Sequence, residues 1–220
     1  MNEKDLARER HKMVAEQLVP RGICNPRVLS AFETIPRHIF IPEDEQAWSY
    51  GDYPQPIGFG QTISQPYIVA LMTQSLSLTG AEKVLEVGTG SGYQAAILSL
   101  LVAEVHTVEI VPELAERARK TLAAMGIANV HLHIGDGSPG LHEFAPYDAI
   151  LVTAAAPQVP RPLLDQLSDG GRLIIPVGSR GFQELEIWRR SGSSYKSEVI
   201  LPVAFVPLRG QYGWNKGWLE

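Results

Sequence analysis

The residues best placed to do chemistry gather around one segment of this 220-residue chain, Val84-Leu-Glu-Val-Gly-Thr-Gly-Ser-Gly-Tyr93. Gly88, Gly90 and Gly92 alternate behind a short apolar run that carries one acid, Glu86. Glycine has no Cβ, so it takes positive φ and lets the backbone approach another molecule closely. The apolar positions that follow, from Ala95 to Leu101, are spaced for a helix. Its first amides are expected to be unpaired and its positive end to point at the bend. A second apolar run, Glu104-Val-His-Thr-Val-Glu109, ends in a carboxylate. Strand, glycine bend, helix, strand and terminal acid are the parts of a nucleotide-binding half, in which the acid accepts from the two hydroxyls of a ribose.

Spacing separates the candidate nucleotides. A dinucleotide fingerprint reads G-x-G-x-x-G, whereas this chain reads G-x-G-x-G followed by Tyr93 and Gln94. That favours a single nucleoside with a short zwitterionic tail, which describes S-adenosylmethionine, over NAD. A tight turn that binds nothing is the third reading.

Two further groups join the candidates. Ser64, in Gly60-Gln-Thr-Ile-Ser-Gln-Pro66, stands just before an apolar helix expected from Tyr67 to about Leu78. It is placed as that helix's N-cap, and its hydroxyl can also face a ligand. Asp136 lies in Gly135-Asp-Gly137 at the end of a third strand, where it can receive an adenine amino group. In that strand Val130, Leu132 and Ile134 alternate with His131 and His133. The two rings share a face, but no cysteine or second cluster completes a ligand set, so no metal is expected.

The elements that must position these groups follow from the periodicity. A helix over residues 3–18 stops at Pro20 and Gly22, and Asn25-Pro26 caps a second helix that runs to about Thr34. Residues 36–66 hold five prolines and several aromatics and read as one long irregular segment, either a cover over the core or a lid or substrate loop. After the central unit, Pro112 opens a helix with Leu114, Ala118, Leu122 and Met125 on one face. Tyr147 to Thr153 and Arg172 to Val177 read as the fourth and fifth strands, with a short helix from Pro160 to Leu167 between them. Glu184 to Arg190 and Val199 to Val206 form an antiparallel finish around the turn Ser191-Gly-Ser-Ser194. The expected fold is α/β, a Rossmann-like, mostly parallel doubly wound sheet with an N-terminal helical addition. It is read as one domain, with helices and a loop in residues 1–66, a nucleotide-binding core in 67–178, and strands and a tail in 179–220.

Composition bounds the rest. The chain is 45% hydrophobic and 20% charged, an ordinary globular balance. Its net charge of −5 and the lack of a basic face disfavour a nucleic-acid partner. The single Cys24 cannot form an intramolecular bridge, which suits a reducing cytoplasm. No signal-like or membrane-spanning apolar run is evident, so a cytoplasmic protein without a membrane partner is expected.

From about Met13 to Leu208 the chain resembles the protein-L-isoaspartate (D-aspartate) O-methyltransferases. The resemblance rests on Ile57-Gly-Phe-Gly-Gln-Thr-Ile-Ser-Gln-Pro-Tyr67, Val84 to Gln94, Gly135-Asp-Gly137, Pro146-Tyr-Asp-Ala-Ile150, Thr153-Ala-Ala-Ala-Pro157, Gly170 to Gly178 and Phe205-Val-Pro-Leu208. The glycine loop is common to many methyltransferases, and Gly-Gln-Thr-Ile-Ser is far more selective. The resemblance implies methyl transfer from S-adenosylmethionine, leaving S-adenosylhomocysteine, to the α-carboxylate of L-isoaspartyl residues in damaged proteins. It implies Ser64 as the active-site residue, and cofactor contacts at Thr62, Ile63, Glu86, Gly88, Gly90, Gly92, Glu109, Ile110, Asp136 and Gly137. Substrate contacts are implied at Ser64, Gln65, Val206 and Leu208, with the Val206-Pro-Leu segment adding a strand to the substrate backbone. It also implies that the last strands depart from the usual methyltransferase order, and a monomer is expected. Phe59 and Ser138-Pro139 depart from the family pattern, and the tail with Trp214 and Trp218 extends past the match. The rivals are a methyltransferase for another carboxylate or small molecule, and a cofactor-binding module that has lost catalysis.

Overall fold

Apolar runs buried on both sides need helices above and below them, and in the computed structural model they assemble into one seven-stranded sheet; residues 2–214 are described. The strands are β3 (Lys83–Val87), β4 (Glu104–Glu109), β5 (Val130–Ile134), β6 (Tyr147–Val152), β7 (Leu167–Ser179), β8 (Phe182–Ser191) and β9 (Ser194–Val203). Their order is β5-β4-β3-β6-β7-β8-β9. The first five in that order are mutually parallel, and β8 and β9 finish the sheet antiparallel, as expected. β9 stops at Val203 rather than Val206.

Helices α2 (Pro26–Thr34), α3 (Pro66–Ser75), α4 (Tyr93–Ser99) and α5 (Pro112–Ala124) pack on one face of the sheet. There Phe32, Met72, Ile97 and Leu114 join Val84 and Val105 in one buried cluster, with Phe32 edge-on to Tyr93 of α4. The short α6 (Arg161–Asp165) sets Leu163 and Leu164 against Leu85, Val87 and Ile150 on the other. Alternate residues of β3 therefore go to opposite cores, the period-2 rule of a strand covered on both sides. Each fully buried Leu or Ile contributes about 1.5–3 kcal/mol.

At the N-terminus α1 (Glu3–Lys12) packs only the half-buried Leu6 on the core; Met13, Val14 and Leu18, in a π-helical turn that continues it, are buried. Gly22, at φ 87°, ends this helix where the sequence placed the stop. Asn25 caps α2 by accepting from the amides of Arg27 and Val28.

The stretch 36–66 is more regular than its prolines suggested. It contains two 3₁₀ turns, Arg37–Phe40 and Glu43–Trp48, and a hairpin of β1 (Gln55–Gly58) and β2 (Gln61–Ile63). The hairpin turn Gly58-Phe59-Gly60 has φ of 90°, 55° and 69°. Two glycines take that conformation freely, and Phe59 takes it with its ring exposed. Four- and three-residue strands are too short for alternation to announce them.

Candidate functional site

Register brings the chemistry to one edge of the sheet. Val87 stands opposite both Val108 and Val152, so Gly88, Glu109 and Thr153 emerge at the same level from β3, β4 and β6. The chain reaches β6 only after β5 has been added on the far side, so the order reverses at β3, where open α/β sheets leave a crevice. A cavity fills that crevice. Its wall includes Thr62, Ile63 and Ser64 from the hairpin side, and Glu86, Gly88 and Gly90 from the first strand and bend. Glu109, Ile110 and Gly137 close a second side, and Thr153, Val206 and Leu208 a third.

The glycine bend is braced from within. The amides of Gly88 and Thr89 donate to Val108 O at 2.9 and 3.3 Å, and that of Gly92 to Thr89 O at 2.9 Å. Gly90 N donates to Glu109 Oε2 at 2.7 Å, and Tyr93 N to Ser91 Oγ at 3.3 Å. These bonds hold the bend in shape; of the first amides of α4 itself, Tyr93 N is taken by Ser91 Oγ and Ala96 N by Gly92 O. Gly88 leaves no room for a side chain, because Thr153 Oγ1 occupies the place and donates to Gly88 O at 2.6 Å. Gly92, at φ 90°, caps α4 and packs against Ala118, outside the cavity wall. The hairpin folds down over the bend: Ile57 Cδ1 lies 3.5 Å from where a Cβ of Gly90 would stand, and Arg117 of α5 donates to Ile57 O.

Two carboxyl groups line the cavity, with different partners. Glu109, 5% exposed, accepts from Gly90 N and from Val111 N at 2.9 Å, and each of its oxygens retains capacity for a further donor. Glu86 is fully buried; Thr107 Oγ1 donates to its Oε2 at 2.6 Å, and its Oε1 has no partner. Burial pushes its pKa up to about 8, against the Thr107 hydrogen bond and with some help from Glu109. Glu86 is therefore mostly protonated at neutral pH. An orphaned, buried carboxyl oxygen in a cavity wall is satisfied by a ligand donor, and the ammonium of a zwitterionic tail placed there would itself favour the ionised carboxylate that accepts from it. With Glu109 available to a ribose diol, the residues present fit an adenosyl amino acid.

Asp136 is not in the wall. Its Oδ1 accepts from Ser138 N at 2.8 Å and its Oδ2 from Gln211 N at 2.7 Å, and Gly210 is pressed against the carboxylate. It fastens the C-terminal segment, whereas its neighbour Gly137 forms cavity floor, with no room for a Cβ between Val87 and Val108. Trp214 continues that fastening, its indole donating to Ala155 O at 3.0 Å; Trp218 lies outside the described residues.

Ser64 is not the helix cap. Gln65 occupies that position, and Asp52 supplies the acceptor, taking Tyr67 N on Oδ1 at 3.1 Å. Asp52 Oδ2 also accepts from Gln65 Nε2 at 2.8 Å and pairs with Arg21. A carboxylate at a helix N-terminus complements its unpaired amides and dipole better than a hydroxyl does. Ser64 is left to face a second cavity, lined also by Gln65, Ile68 and Phe205, which shares Thr62, Ser64 and Thr153 with the first.

Val206 and Leu208 do not offer their main chain outward. Val206 O accepts from Ala155 N and Leu208 N donates to Ala155 O, both at 2.8 Å, and Pro207 between them has no N–H. The expected added strand is corrected: this tripeptide already pairs within the protein and presents side chains to the cavity. Thr153, shared by both cavities, reads in the sequence as a strand end and part of a family motif, with no site role; its signal is the hydroxyl one residue beyond a strand end that faces the glycine bend. Three histidines cluster on β4 and β5, His106 and His131 each reaching Glu104 and His133 pairing with His106, and no group that could hold a metal occurs among the described residues.

Comparison with known proteins bears on this geometry. Residues 8–213 match the family described as protein-L-isoaspartate(D-aspartate) O-methyltransferase. A protein-L-isoaspartate O-methyltransferase of Roseiflexus sp. (strain RS-1) is 53% identical over 211 residues, 96% of each chain. One of Picosynechococcus sp. is 54% identical over 206 residues, 93% of this chain and 92% of that one. Among solved structures, one of that name superposes with a TM-score of 0.84 at 30% identity, covering 93% of this chain and 67% of the other. A Plasmodium falciparum structure titled as a protein-L-isoaspartate O-methyltransferase in complex with S-adenosyl-L-homocysteine gives 0.79 at 26% identity, covering 90% and 98%.

Proposed function

We propose the following working of the site from the premise that the chain belongs to the protein-L-isoaspartate(D-aspartate) O-methyltransferase family. It is an S-adenosylmethionine-dependent repair enzyme that methylates the α-carboxylate of L-isoaspartyl residues. The observation that carries the residue-level reading is the meeting of two cavities at Thr62, Ser64 and Thr153, one built for an adenosyl amino acid and one open to an acceptor.

S-adenosylmethionine supplies a methyl group on a positively charged sulfur. An α-carboxylate, with an ordinary pKa near 3.5, is already ionised at neutral pH, so the protein need not remove a proton before the oxygen attacks. This agrees with the absence of histidine from the walls of both cavities among the described residues. The carboxylate oxygen forms the new bond to carbon while the carbon–sulfur bond breaks and its electron pair stays on sulfur. What remains for the chain is alignment, which lowers a barrier by up to roughly 7–11 kcal/mol. Ser64 donates a hydrogen bond that holds the carboxylate at the junction, Gln65 borders it, and Glu109 and Glu86 hold the ribose and amino ends of the cofactor. Thr62, Ile63, Ile110 and Gly137 shape the cofactor cavity, and Val206 and Leu208 close it with side chains. The ester product then closes to a succinimide with loss of methanol, and hydrolysis returns part of it to aspartate.

The same reading takes the chain as a single methyltransferase domain that works as a monomer, in the cytoplasm, on proteins and peptides rather than nucleic acid. The net charge of −5 supports the last point, and no helix among the described residues is long and apolar enough to cross a membrane. Mass spectrometry of an isoaspartyl peptide with enzyme and cofactor tests the reaction. The expected course is gain of one methyl, loss of methanol, and appearance of aspartyl peptide. A stable methyl group elsewhere on the peptide contradicts it.

A further inference from the structure

The second cavity has a composition of its own. Beyond the rim it shares with the cofactor cavity, its walls are Pro54, Ile68, Pro202, Val203, Ala204 and Phe205. It encloses about 450 Å³, ample for a large side chain. No Asp, Glu, Lys, Arg or His lines it. The one long polar side chain at its edge, Gln65, has its amide nitrogen turned to Asp52, donating to the main-chain oxygen at 2.9 Å and to Oδ2 at 2.8 Å. The far wall is stiff, because the buried Gln183 clamps Phe205 from both directions: Phe205 N donates to Oε1 at 2.7 Å and Nε2 donates to Phe205 O at 3.2 Å.

We propose that this cavity is a side-chain subsite that takes an apolar residue, aliphatic or aromatic, adjacent to the isoaspartyl residue of the acceptor. The proposal rests on the repair reading above, since it is the acceptor carboxylate at Ser64 that brings the neighbouring residue here. Successive Cα atoms lie about 3.8 Å apart across a trans peptide, and the isoaspartyl link adds one more bond, so a neighbour's side chain starts within reach of the rim. An apolar side chain loses water against Ile68, Val203 and Phe205 at a gain. A charged one loses water with no counter-charge in the wall, which costs free energy. Recognition is then not uniform over damaged sites: the isoaspartyl carboxylate is required, and the neighbour grades the rate.

Isoaspartyl peptides of one sequence, carrying Leu, Phe, Lys or Glu on either side of the isoaspartyl residue in turn, test this through kcat/KM. On at least one side, Leu and Phe are expected to exceed both Lys and Glu by about tenfold, the range in which a partly open apolar pocket discriminates. A second arm uses Ala204→Glu, at an exposed wall position outside the catalytic groups. It is expected to raise the Lys-to-Leu ratio by about tenfold and leave S-adenosylhomocysteine affinity within about twofold. Equal kcat/KM for all neighbours, with every isoaspartyl peptide methylated, overturns the subsite and leaves the repair reading standing. Methylation of none of them, with S-adenosylhomocysteine still bound, overturns both.

Discussion

Ser64 and Asp52 divide between them two tasks that a single serine was expected to combine. With Asp52 on the amide of Tyr67, the Ser64 hydroxyl is available at the junction of the cavities. A hydrogen bond to a charged group contributes about 1.5–3 kcal/mol, so Ser64→Ala is expected to lower kcat/KM by about 10- to 100-fold with S-adenosylmethionine affinity nearly unchanged. Steady-state kinetics beside a binding titration checks this, and equal loss in both denies the serine its acceptor role. Glu86 gives a pH signature. Its carboxyl holds a proton in the folded protein up to about pH 8, whereas in the unfolded chain it ionises near 4.5. Between those values the folded state binds more protons, so this group's contribution to stability is full below about 4.5 and declines as pH rises to about 8. Glu86→Gln is expected to remove this component, so that from about pH 4.5 to about 8 the wild type loses more melting temperature, relative to the variant, as pH rises. At this scale residue type and spacing singled out Gly88, Gly90, Glu109 and Ser64, and the structure sets all four in the wall of one cavity. For Asp136 the fold adds what spacing could not, the bonds from Ser138 N and Gln211 N to its carboxylate, and Thr153 gave little warning without the register that sets it beside Gly88.

At the scale of elements, the hairpin β1–β2 and the start of α3 place the acceptor side of the site, and Asp52 ties them together. Its carboxylate joins the end of the N-terminal helical segment through Arg21, the Gln65 side chain and the first turn of α3. Asp52→Ala is expected to destabilise the protein by about 1 kcal/mol, the usual effect of a lost cap. It is also expected to lower kcat/KM for peptide more than affinity for cofactor, because Ser64 and Gln65 lose their anchor while β3, β4 and the glycine bend keep theirs. Thermal melts with the two titrations separate these effects, and an unchanged kcat/KM denies the anchoring role. The helices and parallel strands were legible from their period and their Pro and Gly punctuation. The hairpin was hidden by its brevity, and the Asp52 cap by its distance in sequence from the helix it serves.

Across the whole molecule, strand order decides where function lies. The sequence implied a doubly wound sheet; pairings fixed over long separations then set β3 between β4 and β6 and align three strand ends at one crevice. The opposite flank carries a second pH response. His106 and His133 are partly desolvated under Phe144 and face one another and His131, which lowers both pKa values below the ordinary 6.5. The unfolded chain binds protons there first, so this contribution is present above about 6.5 and is lost as pH falls through the folded values. His133→Gln is expected to reduce the loss of melting temperature below pH 6.5, in a direction opposite to the Glu86 effect. An acid limb identical to the wild type's contradicts it.

The account turns on an acceptor whose backbone linkage, not its side chain, marks it as damaged. The most direct measurement is methyl incorporation from labelled S-adenosylmethionine into two peptides of identical sequence, one with L-isoaspartate and one with L-aspartate. Base-labile label in the isoaspartyl peptide alone is the predicted result. Equal label in both, or none in either while S-adenosylmethionine binds, contradicts it.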